Sequence, residues 1–273
     1  MKILSFKPSI PPYFGTHDGA VILLEDNKII SILEEERFTR VKHAEGQFPI
    51  NAISITLNMN NLTLSDIDYI TIPFEPTQWP FVKQKGLKHS EVILEAKDII
   101  YDQLKLKFGN LKMPPITFYN HHLSHAASAY YLSGFDESLV ITVDGAGEKE
   151  SSVIFKGVEG KLKEIKVFDW PNSIGEIYTD ITGFLGFKPI SGEGQTMGLS
   201  AYGNYDKKIK KLFDKKIMKL RRSGYQIRHK KLASSWKDRF NYIKATFAID
   251  ILEEKKEKIL IRNMLILLMR SRI

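Results

Sequence analysis

The chain has 273 residues, is 43% hydrophobic and contains no cysteine. That length suits one large domain or two modest ones, and without thiols both disulfides and thiolate metal sites are excluded, so any metal must be bound by His, Asp or Glu. The net charge of +8 is unevenly placed: residues 204–273 hold 21 Lys and Arg against 7 Asp and Glu, leaving 19 against 25 in residues 1–203.

From the start, "KILSF" (2–6) reads as a strand, and "PSIPPY" after it as a loop fixed by Pro8, Pro11 and Pro12. "GAVILLED" (19–26) and "KIISILEEER" (28–37) are β-branched apolar runs joined at Asp26-Asn27, a hairpin turn signal. "FPINAISITLNMN" (48–60) sets Ile50, Ile53 and Leu57 at helical spacing, and "DYITIPF" (68–74) is strand-like. An amphipathic helix is expected from Ser90, as N-cap, to Phe108. "ITFYN" (116–120) is a short strand, and "NHHLSHAASAYYL" (120–132) begins a helix.

The pattern then restarts. "SLVITVDGAGE" (138–148), "SSVIFKGVEG" (151–160) and "KLKEIKVFDW" (161–170) are three strands, and "SIGEIYTDITGFLGF" (173–187) is a helix. Asp18-Gly19 stands by a hairpin in the first half and Asp144-Gly145 by one in the second. Asp-Gly is a common turn dipeptide, but its recurrence at matching places in two strand triplets points to duplication. The expected fold is α/β: the actin-like, ribonuclease-H-like duplicated plan, with repeats at about 1–135 and 136–203 and the second incomplete. That plan puts a nucleotide between its halves. Residues 204–273 form a basic, helix-rich tail with no strands that would finish a second triplet-plus-crossover unit, closing on the apolar "ILIRNMLILLMRSRI".

His121 and His125 are four apart, which on a helix stacks both imidazoles on one face. Paired histidines grip a single ion this way, and a polar helix start gives the same spacing. His122 points elsewhere. Asp144 ends the apolar run "LVITV" before a glycine, adding a carboxylate at a sheet edge. Two His and one Asp, with water or phosphate oxygens, fit Fe(II), Mn(II) or Zn(II). His17 and Asp18 open the first strand pair and read equally as a surface turn. "EEERFTRVKH" (34–43) reads as a solvated charged segment in which Arg40 and Lys42 offer phosphate contacts. "GEGQTMGLSAYG" (192–203), with four glycines in twelve residues, could let backbone N–H groups approach an anion. It lacks the Gly-Lys-Ser/Thr of a Walker loop.

Four segments together carry a family likeness: residues 16–53, 120–148, 173–187 and 192–203, in that order. They resemble the O-carbamoyltransferases, the family of nodulation protein U and of the enzymes that carbamoylate cephamycin and aminoglycoside antibiotics. The family spacing ends near Gly203. The resemblance implies an actin-like amino-terminal domain that holds a metal and transfers a carbamoyl group. It also implies a YrdC-like domain, absent from these residues, that makes carbamoyl-adenylate from carbamoyl phosphate and ATP. By motif position His121, His125 and Asp144 match the family's metal ligands, with a further Asp supplied from later in the family domain. His17 matches the histidine at the acceptor hydroxyl; Lys42 and Gly175 match carbamoyl-adenylate contacts, and the Asp144-Gly145 turn faces the nucleotide. Gln195 stands where members often have Lys. The expected acceptor is a small molecule, a sugar or antibiotic-like metabolite.

The rival reading is an inactive nucleotide- or metal-binding remnant of that family. A nucleic-acid partner is not expected: the tail offers Trp236, Phe240, Tyr242 and Phe247 but no recognised reading module. No apolar run of about 18 residues would span a bilayer and no secretory signal opens the chain, so a cytoplasmic protein is expected.

Overall fold

The computed structural model describes residues 1–10, 17–76, 88–222, 224–228 and 236–252. The turn at Pro11 and Pro12 and the closing segment from 259 lie outside the described residues. The fold is mixed α/β and divides into two units: Met1–Asp136 with Gly147–Lys149, and Glu137–Ala146 with the chain from Glu150 onward.

In the first unit, strands β1 (Lys2–Phe6), β2 (Ala20–Glu25) and β3 (Lys28–Glu34) form an antiparallel meander. Asp26 and Asn27, at φ 47 and 65, make the β2–β3 turn with both central residues left-handed, as the sequence signal predicts. A short helix α1 (Glu36–Thr39), a 3-10 turn (Lys42–Ala44) and helix α2 (Ile50–Met59) lead to β4 (Tyr69–Ile72). Helix α3 (His89–Phe108), β5 (Ile116–Phe118) and helix α4 (His121–Ser133) follow. The sheet order is β3-β2-β1-β4-β5, with β1, β4 and β5 parallel. Parallel neighbours need long crossovers, which α2 and α3 supply. Leu4, Phe6, Val21, Leu23, Ile70 and Ile72 pack against Ile53 and Leu57 of α2 and Ile100 and Leu104 of α3.

This topology decides where chemistry can gather. β2 runs against β1, pairing Phe6 with Val21, so its start lies beside the end of β1. β3 pairs Glu34 with Ala20, so the chain leaves β3 at that same edge. β4 and β5 run with β1 and end there too. His17–Asp18, the 35–44 segment and the start of α4 therefore share one sheet edge, the carboxyl end of the parallel strands, where open α/β sheets bind ligands.

In the second unit, β6 (Glu137–Val143), β7 (Glu150–Val158) and β8 (Lys161–Asp169) form an antiparallel triplet. Helices α5 (Ile174–Phe184), α6 (Glu193–Leu199) and α7 (Lys207–Lys216), the hairpin β9 (Met218–Arg221) to β10 (Gly224–Ile227) and helix α8 (Trp236–Leu252) complete it. Ile177 and Ile181 of α5 share a core with Ile209 and Phe213 of α7 and Ile243 and Phe247 of α8.

Two local expectations are revised and three are refined. The strands β9 and β10 lie in the basic segment but pair only with each other, so they do not finish a second triplet-plus-crossover unit among the described residues. "GEGQTMGLSAYG" is mostly helix: Thr196 is buried and its hydroxyl donates to that of Thr182 at 3.0 Å, an anchor that overrides the weak propensity of glycine. α3 starts at His89 because the Glu91 carboxylate reaches back to the Lys88 N–H at 2.8 Å, leaving Ser90 inside the first turn. Glu35 is not solvated; it is buried and accepts from Asn51 Nδ2 at 2.7 Å and from the Ala52 N–H at 2.8 Å, capping α2. His122 is fully buried rather than merely turned away.

Candidate functional site

Helix α4 opens at Asn120, whose side-chain oxygen accepts from the Leu123 N–H at 2.9 Å. That cap starts the helix in register for His121 and His125 to stand one turn apart. Their Nε2 atoms lie 3.1 Å from each other. Imidazole nitrogens sharing a first-row metal at about 2.0–2.1 Å sit on the order of 3 Å apart, so the spacing fits two ligands of one ion. The His121 ring is stacked on Phe74, centroids 4.4 Å apart, and its Nδ1 lies 3.3 Å from the Pro73 carbonyl oxygen. A carbonyl only accepts, so Nδ1 carries the proton and Nε2 keeps its lone pair. This is the outer hydrogen bond that fixes metal-binding histidines.

Glu148 was not foreseen. Its buried carboxylate accepts from the His121 N–H at 2.9 Å, the Glu75 N–H at 2.7 Å and Asn120 Nδ2 at 3.1 Å. It thus ties the start of α4 to the strand end that carries Phe74. Burial pushes its carboxyl up, partly opposed by those N–H groups.

His17 is paired with Asp18, its Nδ1 2.5 Å from Asp18 Oδ2, and His43 Nδ1 lies 2.8 Å from Oδ1 of the same carboxylate. Lys42 is exposed on the 3-10 turn beside His43 and makes no ion pair among the described residues. Lys7, another residue not singled out, places its ammonium 5.7 Å from the centre of the Phe74 ring.

In the second unit, Asp144 directly follows β6. Its Oδ1 accepts from the Gly145 N–H at 2.6 Å, forming a tight turn, and its carbonyl accepts from the Ser173 hydroxyl at 3.1 Å. Ser173 also caps α5, accepting from the Glu176 N–H at 3.0 Å. Gly175 is pressed on this turn: a Cβ there would lie 2.5 Å from the Asp144 carbonyl carbon and oxygen. The first unit thus brings His121 to His125, and His17 to His43 through Asp18. The second brings Gly175 to Asp144 and Gly145. By type, His121, His125 and Asp144 are a set that could hold a metal ion. No helix among the described residues is long and apolar enough to cross a membrane.

Nodulation protein NolNO of Sinorhizobium fredii (strain NBRC 101917 / NGR234) is 34% identical over 77% of this chain and 31% of its own length. The uncharacterized protein MJ1058 of Methanocaldococcus jannaschii is 30% identical over 95% of this chain and 50% of its own. The chain therefore spans 31% to 50% of the length of these relatives. Among solved structures, YeaZ from Pseudomonas aeruginosa is similar at 15% identity and a TM-score of 0.37, over 62% of this chain and 69% of that one. A family model described as carbamoyltransferase N-terminus matches residues 10–262, past Gly203 and through most of the basic segment, and the chain belongs to that family.

Proposed function

We propose that this chain is the transfer portion of an O-carbamoyltransferase, moving a carbamoyl group from carbamoyl-adenylate to the hydroxyl of a small molecule such as a sugar. The observation that carries the reading is the His121–His125 pair, nitrogens 3.1 Å apart at the carboxyl edge of the sheet. Asp144 would complete a two-His, one-Asp set for Fe, Mn or Zn. A bound divalent ion would neutralise phosphate charge and polarise a carbonyl. His17 takes the proton of the acceptor hydroxyl, a task suited to an imidazole at neutral pH. Lys42 anchors the nucleotide phosphate, and the Asp144-Gly145 turn with Gly175 gives close backbone approach to it. In the whole protein, ATP and carbamoyl phosphate would be joined by a YrdC-like domain. The fold reading is the actin-like, duplicated plan. The order β3-β2-β1-β4-β5 supports its first repeat, and the antiparallel triplet β6-β7-β8 the opening of its second.

The test is metal affinity by equilibrium dialysis, followed by transfer with a relative's YrdC-like domain, ATP and carbamoyl phosphate supplied. His125→Ala is expected to bind Mn, Fe or Zn at least about tenfold more weakly. Leu123→Ala, an exposed neighbour on α4, is the control; buried His122 is unsuitable, since its loss would disturb packing. Unchanged metal content in His125→Ala overturns the centre. His17→Ala should keep its metal and lose transfer.

A further inference from the structure

Asp18 and His43 are held in an unusual way. Their φ angles are 57 and 64, in the left-handed region that non-glycine residues rarely occupy. They are also pinned to each other: the Asp18 N–H donates to the His43 carbonyl at 2.5 Å, and the His43 N–H to Glu36 Oε2 at 2.7 Å. Strain of this kind persists where the surroundings hold it in place, and it gathers at functional sites. Here it sets one carboxylate between two imidazoles, with Asp18 Oδ2 facing His17 Nδ1 and Oδ1 facing His43 Nδ1.

The proton positions follow from donor chemistry. Burial acts to raise the Asp18 carboxyl, but hydrogen bonds from His17 and His43 and the charge of Lys7 outweigh it and hold it below the usual carboxylate range. An ionised carboxylate only accepts, so both rings must carry hydrogen on Nδ1. A free histidine side chain prefers hydrogen on Nε2, the wrong tautomer for a base presenting that atom. His43 Nε2 is buried and has no partner among the described residues. A bare lone pair there costs less than a buried, unpaired, charged N–H. Lys7 links this cluster to the histidine pair: the charge that acts on Asp18 also lies over Phe74, the ring stacked on His121.

We infer that Asp18 is a positioning residue: it fixes His17 and His43 as Nδ1–H tautomers, leaving His17 Nε2 bare to accept a hydroxyl proton, and it anchors the turn that carries Lys42. This rests on the reading of His17 as the base. When the proton moves from the hydroxyl oxygen to Nε2, the imidazolium formed still has its Nδ1–H on the carboxylate, which stabilises the new charge.

The experiment is long-range proton–nitrogen correlation NMR on the full chain with 15N-labelled histidine, at about pH 9, above the ordinary imidazole pKa. His17→Gln and His43→Gln assign the two rings. Both are expected as Nδ1–H in the wild type. In Asp18→Asn the amide offers one acceptor and one donor, so one ring should keep its tautomer and the other should change to Nε2–H. Either ring found as Nε2–H in the wild type overturns the inference, as does Asp18→Asn with both rings unchanged. If that variant fails to fold, the wild-type spectrum decides alone. Metal affinity is measured on the same samples: a wild type that binds no metal sinks the metal centre, while the tautomers still decide the role of Asp18.

Discussion

Replacing Arg239 with alanine should destabilise the second unit by about 3–5 kcal/mol above pH 7, the scale for stranding one half of a buried ion pair, and by far less near pH 5. Arg239 on α8 is buried, and its Nε donates to Asp180 Oδ2 on α5 at 2.9 Å while its NH2 group pairs with Glu176. Asp180 is fully buried. With Arg239 in place, burial pushes the Asp180 carboxyl up to about 7 and the guanidinium below its usual value. Removing the guanidinium takes away its attraction for the carboxylate and raises that carboxyl further. A carboxyl near 7 in the native state, against 3.8 unfolded, means that the native state binds more protons across that window. Stability of the wild type must then fall as pH rises from about 4 to about 7, and that of the variant must go on falling above it. Urea unfolding of wild type and Arg239→Ala at pH 5 and pH 8 reads this directly. A loss of equal size at both values would show that Asp180 stays neutral or finds another cation. A negligible loss at both would show that α8 does not depend on the pair. Asp180→Asn with Arg239→Ala, which removes the charge problem, should recover much of the pH 8 loss.

The reach of the sequence depended on how local each signal was. The β2–β3 hairpin was legible because Asp26 and Asn27 tolerate the left-handed backbone that a two-residue turn demands. The helix holding His121 and His125 was legible because its cap, Asn120, and its i, i+4 spacing lie within six residues. "GEGQTMGLSAYG" carried no legible helix signal, because its glycines disfavour a helix and the hydroxyl pair that holds it reaches back to Thr182. The basic segment was illegible for another reason. Charge marks its surface, while Ile209, Phe213, Ile243 and Phe247, spread over nearly forty positions, make a core only when packed on α5.

The candidate site shows the same division. The closeness of His121 and His125 was readable from residue identity and spacing. The groups that hold the site were not. Glu148 meets His121 across 27 positions, and Asp18 meets His43 across 25, contacts made by the folded chain rather than by local sequence. "EEERFTRVKH" looked like solvated charge; its Glu35 is a buried cap, its Glu36 accepts from the His43 N–H, and its His43 shares a carboxylate with His17. A histidine next to lysine in a charged run carries no mark of such a role. The usable hint was the pairing of His17 with an adjacent Asp at a strand start, which becomes informative only once the β3 register returns the chain to that edge.

Gly175→Ala is expected to cost about 1–3 kcal/mol by overpacking, although alanine is the better helix former by about 1 kcal/mol. The added Cβ would meet backbone: the Asp144 carbonyl carbon and oxygen at 2.5 Å and the Gly145 nitrogen at 2.6 Å. A flexible side chain could swing aside, but here either the start of α5 or the Asp144-Gly145 turn must move. The Ser173 hydroxyl, bonded to the Asp144 carbonyl at 3.1 Å, couples the two, so the turn is displaced along with the helix. If Asp144 is a ligand, metal affinity should also fall by at least about tenfold although Gly175 offers no donor atom, the size of effect typical of groups that orient ligands. Gly194→Ala in α6, where a Cβ meets nothing within 4 Å, is the control and should be neutral or slightly stabilising. Denaturant unfolding and metal titration on the three proteins separate the possible roles of Gly175. Lost stability with lost metal affinity assigns it to seating the Asp144 turn. Full stability and wild-type metal affinity would show that the turn yields freely, and would leave nucleotide contact as the reason for a glycine at that position.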